Sequence, residues 1–306
     1  MAGKNKKSMK ITKFLYVIFP SIILFISCQS MPKIPDAFLE DARYAPLYSG
    51  ASAYIFADVK QARSIIDLLP IEELSDRQTA QMLDRTNYIA AALFPVESRR
   101  RFQIAAWGKF PNNMAGIAFS TDRNWQSLNS STGQSYWYSS AGWLSIAMSS
   151  NQAFIASSLT NEPLDPFIPA PGVAIPQGFN AFRQGGPGLT PAPLSCWFEN
   201  PGQMVTNMLN QEGIPFQFLA QQLFINLYCV SDDQYEALIR FVFENTSFAR
   251  GMAAILNLAG GSLSDNAVAN LLFSNPPVQN NNYIDIKTPV LSEQELISLL
   301  EIFIIF

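Results

Sequence analysis

The chain has 306 residues, with 20 Lys and Arg against 24 Asp and Glu, three Cys, 23 Phe, 10 Tyr, 5 Trp and no His. Without an imidazole there is no Ser-His-Asp or Cys-His machinery, no His-ligated zinc and no side chain whose ordinary pKa lies near 7, which excludes most hydrolase and metalloenzyme chemistry. Charged residues make up 14% and hydrophobic residues 48%, a charge content well below the roughly 25% usual for soluble domains.

Residues 1–27 read as a signal peptide. Lys4, Lys6, Lys7, Lys10 and Lys13 precede the apolar run from Phe14 to Ile26, with no acid among them, and that run is too short for the ~20 residues that span a bilayer. Removing five Lys leaves 15 basic residues against 24 acidic, a net −9 hidden by the formal −4 of the whole chain. A body that acidic is a poor nucleic-acid binder, because phosphate contacts need clustered Lys and Arg. The order Phe25-Ile26-Ser27-Cys28 resembles the lipobox of bacterial lipoproteins, in which the cysteine becomes diacylated and N-terminal after cleavage. Phe25 in place of the usual Leu is similar to the relaxed lipoboxes of spirochaetes and some Bacteroidetes. The alternative is an ordinary cleaved signal, or an uncleaved anchor with an incidental Cys28. Acyl chains there would hold the protein on a membrane, facing the periplasm or the exterior.

Residues 28–49, with Pro32, Pro35 and Pro46, read as a lipidated tether. A first α+β domain is expected over 50–162. It opens with a strand over 51–58 and a helix over 59–69, whose apolar positions 59, 62, 65, 66 and 69 keep helical spacing. A second helix is expected from Ser75 to about Arg85, then a hairpin with arms 86–94 and 99–109, and short strands over 136–139, 143–148 and 153–158. Eight Pro and five Gly between Pro163 and Pro193 mark a linker that excludes regular helix or central strand. A second α+β domain, 194–306, repeats the order of strand (194–200), helix (201–211) and hairpin (222–230 and 235–244) without sequence identity, which suggests duplication. Helices over 248–258 and 264–273, separated by Gly260-Gly261, a strand over 283–287 and a helix from Ser292 complete it. Ser292-Glu293-Gln294-Glu295 is a capping box. Strands followed by helices within each half indicate an α+β fold.

No Gly-x-Ser-x-Gly elbow occurs, and Gln184-Gly185-Gly186-Pro187-Gly188 lacks the Gly-Lys-Ser/Thr ending of a phosphate loop. Asp58, Glu199, Asp232 and Asp233 are the carboxylates a hydrolase would have to use, but acids at strand ends more often cap the next helix. No catalytic residue, metal site or cofactor is expected. Cys196 and Cys229 could pair in an oxidising compartment or pack as free thiols. Arg99, Arg100 and Arg101 could meet anionic head groups, or form a solvated hairpin arm. The five Trp could make a stacking platform or pack in a core, with Tyr136-Trp137-Tyr138 expected to expose at least one ring. Charge is absent from Gly251–Gly261 and from Ala267–Phe273, so the helices there are either core helices or amphipathic helices that lie in a leaflet.

The relaxed lipobox at Cys28, the low charge, the α+β body and the charge-poor helices together resemble envelope lipoproteins of treponemes and related spirochaetes. That resemblance implies a non-enzymatic lipoprotein of the cell envelope, anchored by diacylglycerol and palmitate on Cys28 and associating with outer membrane, lipid or an envelope partner. The competing expectation is an extracytoplasmic module that binds glycan or protein through exposed aromatics.

Overall fold

Alternation along Ala53–Asp58 (β1) sends Tyr54 and Phe56 to one face of a sheet and Ile55 and Ala57 to the other. The computed structural model describes residues 47, 51–69, 80, 83–94, 101–110, 124–131, 133–139, 144–148, 153–157, 179–183, 191–203, 205–206, 217–262, 271 and 274–304. In chain order β1 is followed by α1 (Arg63–Asp67), β2 (Thr86–Phe94), β3 (Arg101–Gly108), β4 (Trp125–Asn129), β5 (Ser135–Ser139), β6 (Leu144–Met148), β7 (Ala153–Ser157) and α2 (Phe179–Arg183). Then come β8 (Leu194–Glu199), β9 (Gln222–Ser231), β10 (Gln234–Val242), α3 (Thr246–Ser262), β11 (Val278–Asn280), β12 (Tyr283–Lys287) and α4 (Glu293–Ile304). The mixture of strands and helices is α+β.

The twelve strands among the described residues join one sheet in the order β11-β12-β10-β9-β8-β1-β2-β3-β7-β6-β5-β4. Every pairing is antiparallel. The seam is β1 against β8, with Tyr54 opposite Trp197 and Phe56 opposite Ser195. Outward from it run β2 and β3 on one side and β9 and β10 on the other. Central strands are covered on both faces, which is why β9 reads as an almost continuous apolar run (QLFINLYCVS) instead of alternating.

One face carries the larger core. Leu223, Ile225 and Leu227 of β9 and Ala237 and Ile239 of β10 pack there under Ile65 and Ile66 of α1, Ala249, Met252 and Ala253 of α3, and Leu296, Leu299 and Leu300 of α4. One half of the expected Ser292 capping box forms, with the Ser292 N–H donating to Glu295 Oε2 at 2.7 Å, and the Ser292 hydroxyl donates to the same oxygen at 2.7 Å. The other face is aromatic, with Tyr54, Phe56, Trp197 and Phe224 packing against Phe179 and Phe182 of α2. Leu47, within the stretch read as a tether, is fully buried in this cluster.

Several expectations are corrected. The helix expected over 59–69 is confined to Arg63–Asp67, because the Asp58 carboxylate accepts from the Gln61 N–H at 3.2 Å and from its side-chain amide at 3.0 Å, holding 58–61 as a turn. α3 starts at Thr246, after Asn245 accepts the Phe248 N–H at 3.0 Å, and runs through Gly260-Gly261 instead of stopping there. Interior glycines weaken a helix by only about 1 kcal/mol each relative to Ala, less than packing returns. Within the Pro/Gly-rich stretch the five residues Phe179–Arg183, free of both Pro and Gly, form a helix where none was expected. The strands β4 and β11 were not anticipated. Most of the helix expected over 264–273 lies outside the described residues.

Candidate functional site

Of the acids a hydrolase would have to use, Asp58 is engaged structurally, and several other acids form ion pairs. Asp67 and Asp84 pair with Arg63 at 2.9 and 2.7 Å, Glu236 pairs with Lys287 at 3.0 Å, and Asp58 holds the turn before α1. Asp232 and Asp233 form the β9–β10 turn, where the Asp232 carbonyl accepts the Tyr235 hydroxyl at 3.4 Å. Among the described residues no group of three or more Cys, Asp and Glu could hold a metal ion, and no helix is long and apolar enough to cross a membrane.

Cys28, Arg99 and Arg100 lie outside the described residues, and Arg101 opens β3 opposite Phe94. The disulfide considered for Cys196 and Cys229 does not form; both thiols are free. Cys196 faces Ile225 across the β8–β9 ladder, so Cys229 sits four residues further along the neighbouring strand. At ~3.4 Å per residue that offset far exceeds the ~4.4–6.8 Å between α-carbons that a disulfide requires. Burial pushes the Cys196 thiol up to about 12. The Cys229 sulfur instead lies 3.2 Å from Ser64 Oγ.

The aromatic platform is also corrected. Trp125, Trp137 and Trp197 are buried and Trp107 is half-buried, while Trp143 lies outside the described residues. Tyr136, Trp137 and Tyr138 are all buried, since β5 is flanked by β4 and β6 and covered on both faces.

The described surface also exposes large apolar side chains. Phe248, Ile255 and Leu258 of α3 are 44, 39 and 76% exposed. At 100° per residue the three fall on one stripe with Gly251 between them, while Ala249, Met252, Ala253 and Leu256 form a second stripe turned to the core. Arg250 is the only charge on the helix. α3 is therefore apolar on two faces, one satisfied by the sheet and one turned outward. The charge-free run Gly251–Gly261 marked this helix in the sequence, but only packing separates the two stripes.

The opposite face of the sheet holds a buried polar network. Ser195 Oγ–H donates to Asn226 Oδ1 at 2.8 Å, and Asn226 Nδ2 donates to the Phe182 carbonyl at 2.6 Å and to Tyr228 Oη at 3.0 Å. On β10, Arg240 binds Asp285 through two hydrogen bonds of 2.6 and 2.8 Å, with its guanidinium 4.0 Å from the Tyr283 ring centroid. Burial works against that charge, but the Asp285 carboxylate outweighs it and holds Arg240 above its ordinary pKa. Burial raises the Tyr54 and Tyr228 hydroxyls. One polar residue on this face, Arg183, had no part in the sequence reading, although it is the only charge between Asp165 and Glu199.

Comparison with known proteins places this arrangement. A family model described as the outer membrane-associated lipoprotein TP0453 matches residues 46–272. Three crystal forms of TP0453, a treponemal protein, are similar in fold. Form IV has a TM-score of 0.58 at 15% identity, covering 84% of this chain and 96% of the other. Form III has 0.56 at 16%, covering 84% and 97%, and form I has 0.54 at 15%, covering 85% and 97%. No curated protein sequence matches the chain.

Proposed function

The chain belongs to the TP0453 family of outer membrane-associated lipoproteins, and on that premise we propose that it is a non-enzymatic module that contacts a leaflet through α3. Acyl chains on Cys28 anchor it, following removal of residues 1–27. Residues 28–49 lead to two α+β segments, 50–162 and 194–306, with 163–193 between them. The observation that carries this reading is the outward stripe of Phe248, Ile255 and Leu258 on a helix whose other stripe already fills a core. Fully burying a large apolar side chain returns about 1.5–3 kcal/mol. Three that are already partly covered would contribute roughly 2–5 kcal/mol on entering the acyl boundary, which adds to the acyl chains' own affinity. Head-group contact by Arg99, Arg100 and Arg101 is part of the same proposal, supported by their charge.

The direct test is co-sedimentation of residues 29–306, without acyl chains, with anionic liposomes. Binding is expected, and substitution of Phe248, Ile255 and Leu258 by Ser together should reduce it at least tenfold. Absence of binding with an unchanged circular dichroism spectrum would sink the contact through α3. Acyl labelling of wild type against Cys28→Ala tests the anchor; equal labelling counts against it.

A further inference from the structure

Arg183 ends α2 with only 4% of its surface exposed. Its guanidinium carbon lies 3.4 Å from the centroid of the Phe56 ring, and its Nε and Nη1 are enclosed without a hydrogen-bond partner. Arg240, on the same face of the sheet, shows how this protein compensates a half-buried guanidinium: a bidentate Asp285. Among the described residues Arg183 has the ring contact and no such carboxylate. A guanidinium stays charged at any ordinary pH, and a cation–π contact offsets only part of the cost of removing it from water. Trp197 on β8 pairs with Tyr54 and is therefore the diagonal neighbour, across the seam, of the Phe56 ring on which Arg183 rests. Its Nε1 is also enclosed without a partner. Both groups are donors only, so what would satisfy them together is an acceptor carrying negative charge.

We propose that Arg183 and Trp197 form an anion site over the β1–β8 seam, taking a carboxylate or phosphate group either as a free ion or as the head of an amphiphile. The backbone that presents Arg183 is held from two sides, since the Phe182 carbonyl accepts from Asn226 at 2.6 Å and the Arg183 carbonyl accepts from the Ala192 N–H at 2.7 Å. An oxyanion would receive the planar fork of the guanidinium and the indole N–H together. Phe179, Phe182 and Phe224, with Phe182 and Phe224 centroids 5.3 Å apart, belong to the same buried cluster and are the apolar side chains against which an alkyl chain would pack. The donors are enclosed, so side chains packed over them shift to admit the anion while the backbone around Arg183 stays held. The site lies on the face of the sheet opposite α3 and does not depend on α3 meeting a membrane.

The experiment is calorimetric titration of the full acylated chain in a non-ionic detergent with inorganic phosphate, decanoate and decanol. At least one anionic probe is expected to bind, with decanol silent or at least tenfold weaker. Binding by phosphate identifies a free oxyanion as sufficient, and binding by decanoate alone identifies an amphiphile head. Arg183→Met should weaken the anionic probe roughly tenfold to a hundredfold and leave the unfolding temperature without ligand unchanged or higher. Arg183→Lys, which keeps charge but loses the fork, should fall between Met and wild type, and Trp197→Phe should weaken binding severalfold. Binding of no probe, equal binding of decanoate and decanol with phosphate silent, or unchanged affinity in both Arg183 variants would overturn the proposal. So would an Arg183→Met chain that unfolds earlier without ligand, since Arg183 would then be a structural residue.

Discussion

Asn226 is fully buried on β9 and makes three hydrogen bonds, to Ser195 Oγ at 2.8 Å, the Phe182 carbonyl at 2.6 Å and Tyr228 Oη at 3.0 Å. It is the stitch between the sheet and α2. Asn226→Ala removes all three bonds at about 1 kcal/mol each and leaves the Ser195 hydroxyl and the Phe182 carbonyl without these partners, a further penalty of about 1–2 kcal/mol. The expected loss is roughly 3–5 kcal/mol, read as a lower urea midpoint with the slope unchanged. Ser195→Ala alone should cost about 1 kcal/mol. In the double variant neither Ser195 nor Asn226 leaves the other unpaired, so the two effects should fall short of additivity by about 1 kcal/mol. A loss below about 1 kcal/mol for Asn226→Ala, or strict additivity in the cycle, would refute the view that this network holds α2 to the sheet.

Three further outcomes are expected. Thr288, 1% exposed, accepts the Ala237 N–H at 2.9 Å through Oγ1, so Thr288→Val should cost about 1–3 kcal/mol in urea unfolding by leaving that donor unpaired. The Ser292 N–H and hydroxyl lower the Glu295 pKa, so the stability from this cap is complete above the unfolded value of ~4.3 and is lost as pH falls through the depressed folded value. Ser292→Ala should accordingly cost about 0.5 kcal/mol near pH 7, and thermal melts of the two proteins should converge as Glu295 protonates. With its pKa near 12, Cys196 should be thiolate in only roughly one molecule in ten thousand at pH 8. Iodoacetamide should therefore modify this half-buried thiol slowly in the native protein and much faster after denaturation, by peptide mass spectrometry, and equal rates would contradict its raised pKa.

Elements with strong local periodicity were legible in the sequence. The β2–β3 and β9–β10 hairpins and β12 stand within a few residues of their expected bounds, because alternation and turn chemistry are local. β4 and β11 lie at the two ends of the sheet, where WQSLN and VQN carry little apolar pattern. Only pairing with β5 and β12 makes them strands. α1 shortened because a side-chain bond from Asp58, invisible to apolar spacing, competes for the first turn. For the candidate sites, the charge-free run of α3 was visible, but which of its residues face outward depends on how the helix packs.

Composition and short-range pattern are enough to show the lysine-rich N-terminal run, the acidic balance of residues 28–306, the absence of imidazole and the α+β character. Packing in three dimensions was needed to show that β1 and β8, whose partners Ile55 and Cys196 lie far apart in the chain, join both halves into one sheet. The same register separates Cys196 from Cys229 and sets Trp197 diagonal to Phe56, on which Arg183 rests. The physical reason is that backbone ladder bonds are alike for any strand. The choice of partner is made by side-chain complementarity between remote segments, and so is the burial of a guanidinium without its usual carboxylate.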